Sequence, residues 1–231
     1  MDGLLFGSIG VLAEISDRQR HAFNAAFAEA DLPLMWEPGP YARMLSPDGG
    51  TDRIREQAAA AGIELSDDQI AALHLRRSEI FDRGLLDMPI APRPGVVRLL
   101  DEARAAGIRT AFVTTTPRVD VDTMLAALAA RITPDMFDLI VTRDMVEAGK
   151  PDPEAYMLAV ERLDLTRPVA IEDSAPGLRA ALAANIPTVA TPGEYSGAQD
   201  FTGAALVVPS LDRAQDTPQG RVTVDWLASL A

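Results

Sequence analysis

Leu4-Leu5-Phe6 is a short apolar run leading into Gly7-Ser8-Ile9-Gly10-Val11-Leu12. An apolar run bounded by glycines predicts a buried strand followed by a tight turn. From Ser16 the period changes to that of a helix, with Phe23, Ala26, Phe27 and Ala30 at three- and four-residue spacing; Ser16 or Asp17 can cap it. Further helical patterns cover roughly 52–61 and 67–86, with loops marked by Pro47-Asp48-Gly49-Gly50 and by Gly62. About 70 largely helical residues are thus inserted directly after one strand.

Pro89 to Pro94 holds three prolines in six positions and reads as a linker. After it, helix and strand patterns alternate. Helices over 95–106, 119–130, 153–163 and 176–184 precede strands over 109–113, 139–141, 169–171 and 188–190, and a last strand follows at 206–208. Such alternation, with continuous β-branched strands, predicts an α/β fold: a doubly wound, Rossmann-like parallel sheet covered on both faces. The expected division is a core of residues 1–13 and 89–231 and an inserted all-helical cap of residues 14–88. In such sheets ligands bind beyond the carboxyl ends of the strands, so the residues just after each strand carry the information.

Composition narrows the chemistry. The 231 residues are 48% hydrophobic and 24% charged, enough apolar material for a core and against a disordered chain. Asp plus Glu outnumber Lys plus Arg by 34 to 21, a net charge of −13 that disfavours nucleic-acid and membrane-surface partners. An anionic small molecule stays possible, because a few local donors reverse the field inside a pocket. With no cysteine, disulfides, thiolate metal sites and cysteine nucleophiles are excluded. The apolar opening, Gly3 to Ala13, is too short to span a bilayer and lacks a preceding basic segment, so the expected compartment is cytoplasmic.

Three strand ends carry matching chemistry. Thr114-Thr115-Thr116 follows one strand and offers a hydroxyl and free N–H groups, a natural phosphate cradle. Lys150, in Gly149-Lys150-Pro151-Asp152-Pro153, stands just before a helix, and Glu172-Asp173-Ser174 places two adjacent carboxylates after another strand. A hydroxyl, an ammonium and a carboxylate pair suit a phosphate together with Mg²⁺.

In order and spacing this set resembles the haloacid dehalogenase superfamily. The likeness is to its capped branch of β-phosphoglucomutase-like and phosphoglycolate-phosphatase-like proteins. Thr114 matches the family's second motif, Lys150 its third, and Glu172-Asp173-Ser174 with Gly177 its fourth. Pro92-Arg93-Pro94-Gly95-Val96 resembles the return from cap to core. The resemblance implies phosphate contacts by Thr114, Thr115 and Lys150. It also implies metal ligation by Asp173, Glu172 and the Ile9 carbonyl, and a substrate that is a small phosphorylated metabolite or inorganic phosphate. On the cap, the loop Gly49-Gly50-Thr51-Asp52-Arg53 and Arg77 match positions that face substrate in related enzymes, the alternative being a solvated helix face.

The first motif departs from the family. Where members carry Asp-x-Asp-Gly-Thr/Val-Leu, this chain has Gly7-Ser8-Ile9-Gly10-Val11-Leu12, so Gly7 falls on the nucleophile and Ile9 on the general acid/base. Neither can attack phosphorus or carry a proton, in a reaction whose enzymatic acceleration can reach ~10²¹-fold. Bound Mg²⁺ is expected to be weakened or absent. Ser8 is expected to point away from the site, because neighbouring residues on extended chain face opposite sides. Lys150 loses its family partner, leaving Glu172 as the obvious one, so a structural ion pair stands beside a ligand-binding role. Thr114 and Asp173 have helix capping as their alternatives. A carboxylate introduced at Gly7 is expected to enter a site already arranged for it. His21 and His74 read as packing or surface residues, and Trp36, Trp226 and Tyr195 as packing.

Three functions compete: a phosphatase-like hydrolase that has lost most or all turnover, a non-catalytic binding protein for a phosphorylated metabolite, and an active hydrolase with an unusual nucleophile such as Ser8. The sequence leaves monomer or dimer open.

Overall fold

A computed structural model describes residues 1–44, 50–88 and 90–231. Pro47, Asp48 and Gly49 of the expected loop, and Pro89 of the expected linker, lie outside the described residues. The chain divides into two compact units, one of Met1–Glu14 with Pro89–Ala231 and one of Ile15–Met88.

The first unit is built on a six-stranded parallel sheet in the order β3-β2-β1-β4-β5-β6. Its strands are β1 (Gly3–Phe6), β2 (Arg109–Val113), β3 (Leu139–Val141), β4 (Pro168–Glu172), β5 (Thr188–Ala190) and β6 (Leu206–Val207). β1 is central, and all four of its residues are buried. That is why it reads as a continuous apolar run rather than an alternating one. The helices are α1 (Ile9–Leu12), then α6 (Val96–Ala105), α7 (Arg118–Leu128), α8 (Glu154–Leu163), α9 (Ala175–Ala183) and α10 (Val224–Ala228), with α2 to α5 in the other unit. Ala155 and Ala159 of α8 and Ala180 and Ala181 of α9 pack on Leu5, Ala111 and Ala170 in one buried cluster. Small side chains on these helix faces let them lie close to the sheet.

Phe6 of β1 is paired with Phe112 of β2 and with Ile171 of β4. The residues that follow therefore converge: the Gly7 N–H donates to the Ile171 carbonyl at 2.8 Å. The order of strands reverses direction on the two sides of β1, which makes this edge the topological switch point where open α/β sheets take ligands.

The second unit is helical, with no strand among its described residues: α2 (Ser16–Glu29), α3 (Pro38–Arg43), α4 (Gly50–Ala60) and α5 (Asp67–Asp87). Phe23, Phe27, Trp36 and Tyr41 form its buried aromatic core, the Phe23 and Trp36 rings meeting edge-on at 4.6 Å. Ser66 and Gln69 close a reciprocal capping box at the start of α5. At α2 the expected cap differs. Ser16 is already the first helical residue after Ile15, and Asp17 is turned along the helix to Arg20, 2.8 Å away. The expected tight turn after β1 is a single helical turn, α1, and α3 and α10 were also beyond the sequence pattern, being too short to show a period.

Candidate functional site

Lys150 anchors the site. Its Nζ donates to Glu172 Oε1 at 2.6 Å, to the Val113 carbonyl at 2.9 Å and to the Gly7 carbonyl. An ammonium has three N–H groups, and all three are used inside the protein. Glu172 is completely buried and the Lys150 side chain is 8% exposed, so the pair joins the ends of β1, β2 and β4 out of water. The Tyr156 hydroxyl, buried on α8, also donates to Glu172 Oε1, at 2.6 Å. The other carboxylate oxygen accepts the Asp173 N–H at 3.2 Å. Burial first, and then the Glu172 charge, hold the Tyr156 phenol well above its ordinary range, so it stays a hydrogen donor.

Two glycines enclose this carboxylate. A Cβ on Gly7 would lie 2.2 Å from both Glu172 Oε1 and the Tyr156 hydroxyl, and a Cβ on Gly177 would lie 2.2 Å from Glu172 Cδ. The expectation that a side chain at Gly7 enters a prepared space is therefore overturned: Glu172 and Tyr156 fill it.

Ser8 also departs from expectation. Chain direction changes at α1, the strand alternation does not carry through the turn, and the Ser8 hydroxyl donates to Asp173 Oδ1. Asp173 is half-buried, and its carboxyl is pushed up to about 6 by burial and by the Glu172 charge, against the pull of Ser8, Arg93 and Lys150. Arg93 spans neighbouring loops, donating to the carbonyls of Gly10, Thr191 and Pro192 at 2.9, 2.6 and 2.9 Å. Asp173 does not cap α9; Ser174 does, accepting the Gly177 N–H at 3.3 Å.

The Thr114 hydroxyl is buried, accepts the Thr116 N–H at 3.1 Å and donates to Thr116 Oγ1 at 3.0 Å. It shapes the loop rather than capping α7, whose cap position is Pro117. The Thr115 N–H has no acceptor among the described residues. Of the expected set, Lys150, Glu172, Asp173 and Ser8 are bonded to one another in sequence around the end of β1. Ile9 opens α1 and is half-buried.

The residues do not fit Mg²⁺ as the resemblance implies. Position 7 offers no carboxylate, Glu172 is committed to Lys150 and Tyr156, and Asp173 holds Ser8. Among the described residues no group of three carboxylate or imidazole side chains is placed to share a metal ion.

In the helical unit, Arg53 and Arg77 are half-buried and lie over aromatic rings, Arg77 Cζ 4.6 Å and Arg53 Cζ 5.6 Å from the centre of Phe23. This is a cation–aromatic cluster rather than a solvated face. His74 lies 3.1 Å from Arg77 Nη2, and burial together with the two arginines keeps its imidazole below its ordinary range. His21 is exposed beside Asp17. Gly50 opens α4, while Gly49 lies outside the described residues.

Tyr156 escaped the sequence reading, and Arg93 enters it only as part of the Pro92–Val96 stretch, without a role. Tyr156 stands six residues after Lys150 on the buried face of α8, where an aromatic reads as core. Its signal was the polar tip, which needs a partner when buried.

A model of haloacid dehalogenase-like hydrolases matches residues 1–185. The protein CbbY of Rhodobacter capsulatus is 35% identical over 216 residues, covering 93% of this chain and 95% of that protein. The plasmid-encoded CbbY of Cupriavidus necator is 37% identical, covering 95% and 89%. The crystal structure of Rhodobacter sphaeroides CbbY with phosphate superimposes with a TM-score of 0.80 at 35% identity, covering 91% of this chain and 94% of that one. An Asp-to-Asn mutant of the same protein was crystallised with xylulose-(1,5)-bisphosphate. Six parallel strands in this order, a helical insert after the first, and similarity along nearly the whole length place the chain in the haloacid dehalogenase-like hydrolase family, in its CbbY-like branch.

Proposed function

We propose that this chain is a CbbY-like protein that binds a small phosphorylated sugar and turns it over slowly or not at all. One observation carries the reading: Gly7 at the end of β1 offers no carboxylate, the Glu172 carboxylate beside it is completely buried, and Asp173 is held by Ser8. Attack on phosphorus needs an oxygen that the phosphoryl group can reach. The relative's complexes with phosphate and xylulose-(1,5)-bisphosphate support a sugar bisphosphate as the ligand class.

The chain's own residues would bind rather than react. The Thr115 N–H and the loop shaped by Thr114 supply donors at the end of β2. Lys150 contributes its charge from behind, its N–H groups being spent on Glu172 and two carbonyls.

Calorimetry with xylulose-1,5-bisphosphate and with inorganic phosphate, in EDTA, should give binding of both. Phosphate release with Mg²⁺ present should stay below ~1 s⁻¹, where ordinary turnover begins. Faster release, abolished by Lys150→Ala, would refute the reading. The Ser8–Asp173 hydrogen bond favours a second reading, a hydrolase with Ser8 as nucleophile; it requires release that Ser8→Ala abolishes.

A further inference from the structure

Glu154 is the first residue of α8, and its carboxylate turns back toward the loop that precedes the helix. Its two oxygens accept the Glu147 N–H at 3.0 and 2.9 Å, and one of them accepts the Ala148 N–H at 2.7 Å. Consecutive N–H groups that converge on one point form a nest for an anion, and here the chain supplies the anion itself. These two donors hold the Glu154 carboxyl below its ordinary range. Arg143 holds the carbonyls of the same segment, donating to those of Val146 and Glu147, the latter at 3.0 Å. Asp152 closes the loop, with its N–H on the Gly149 carbonyl at 3.0 Å and its Oδ1 on the Glu154 N–H at 2.9 Å. Lys150 is carried by this braced segment.

Tyr156 stands two residues beyond Glu154 on the same helix. Its hydroxyl donates to Glu172 Oε1, the oxygen that also takes Lys150 Nζ. The first turn of α8 therefore bonds both to the loop that carries the ammonium and to the carboxylate that neutralises it. A buried ion pair offsets the cost of leaving water only where its geometry is closely held.

We propose that the first turn of α8 sets both halves of the Lys150–Glu172 pair, with Glu154 the positioning residue for Lys150 as Tyr156 is for Glu172. Glu154 acts through the backbone: residues 147–149 fix where the lysine leaves the loop, and so where its Nζ arrives. The Asp173 N–H reports on the result from a distance, because it donates to the other oxygen of Glu172, Oε2, at 3.2 Å.

Amide exchange of the unliganded protein tests this, and so stands or falls apart from the binding proposed above. Glu154→Ala is compared with Thr223→Ala, which removes the side-chain cap of α10 in the same unit. In Glu154→Ala the amides of residues 147 and 148 should exchange faster, and that of Asp173 faster by at least about tenfold, as the ion pair opens more often. Thr223→Ala should leave the Asp173 amide within about twofold of the parent, since fraying of α10 does not reach the pair. Should Glu154→Ala not fold, Glu154→Gln is read on the same amides, with about threefold expected at Asp173. Quickening confined to residues 147 and 148 would make Glu154 a brace of its own loop and overturn the proposal. Equal quickening of Asp173 in Thr223→Ala would overturn it too, by showing a loss of stability common to the whole unit.

Discussion

Asp173 is the residue whose surroundings predict a solution measurement. Its carboxyl titrates at about 6 in the folded protein against an ordinary 3.8, so the folded state holds the proton to higher pH than the unfolded one. A raised carboxyl pKa means that stability falls as pH rises from about 3.8 to about 6 and is level on either side. Denaturant titrations of the parent and Asp173→Asn should diverge across that window, the variant lacking this downward component. Parallel profiles would mean that the carboxyl titrates normally. At this scale the sequence was legible where a partner could be found by elimination, as with Lys150 and Glu172. It was opaque where direction decided: Ser8 turns toward Asp173 because α1 breaks the strand's alternation, and Glu172 swings into the space at Gly7.

Elements differ in how much of their stability is local. The α5 start carries both halves of its capping box, the Gln69 N–H to Ser66 Oγ at 3.3 Å and the Ser66 N–H to Gln69 Oε1 at 2.9 Å. Ser66→Ala should cost about 1 kcal/mol, typical for loss of such a cap. Amide exchange should quicken in the first turn of α5 and leave β1 to β5 unchanged; uniform acceleration would mean that the cap supports more than its own helix. Strands with strong β-branched runs were legible to the residue, as at Arg109–Val113, Leu139–Val141 and Thr188–Ala190. The four-residue α1 and the six-residue α3 were not, because a helix of one turn has no period to read.

Across the whole molecule, the strand and helix patterns were enough to anticipate the parallel sheet and the helical insert, because the inner strands β1, β2, β4 and β5 bury both faces and each helix one. What it could not give is the cross-linking by single side chains. Arg93 reaches the carbonyls of Gly10, Thr191 and Pro192 and also Thr191 Oγ1, so one guanidinium joins segments 83 and 98 residues away along the chain. Lysine has the charge but not the fork. Arg93→Lys should therefore destabilise the fold by about 1–3 kcal/mol in urea, the cost of buried acceptors left without donors. A midpoint equal to the parent's would show that charge alone suffices there.

Lys150 is also the only lysine in the sequence, every other basic side chain apart from the two histidines being arginine. The α-amino group aside, an amine-selective reagent meets one target in this protein, and that target is sealed by its own ion pair. The rate of its acylation is then a clock for the opening of a single buried contact, with no background from other lysines. Isotope-labelled lysine gives the same contact a spectrum of one resonance. A protein without a surface lysine thus carries a built-in reporter in its interior.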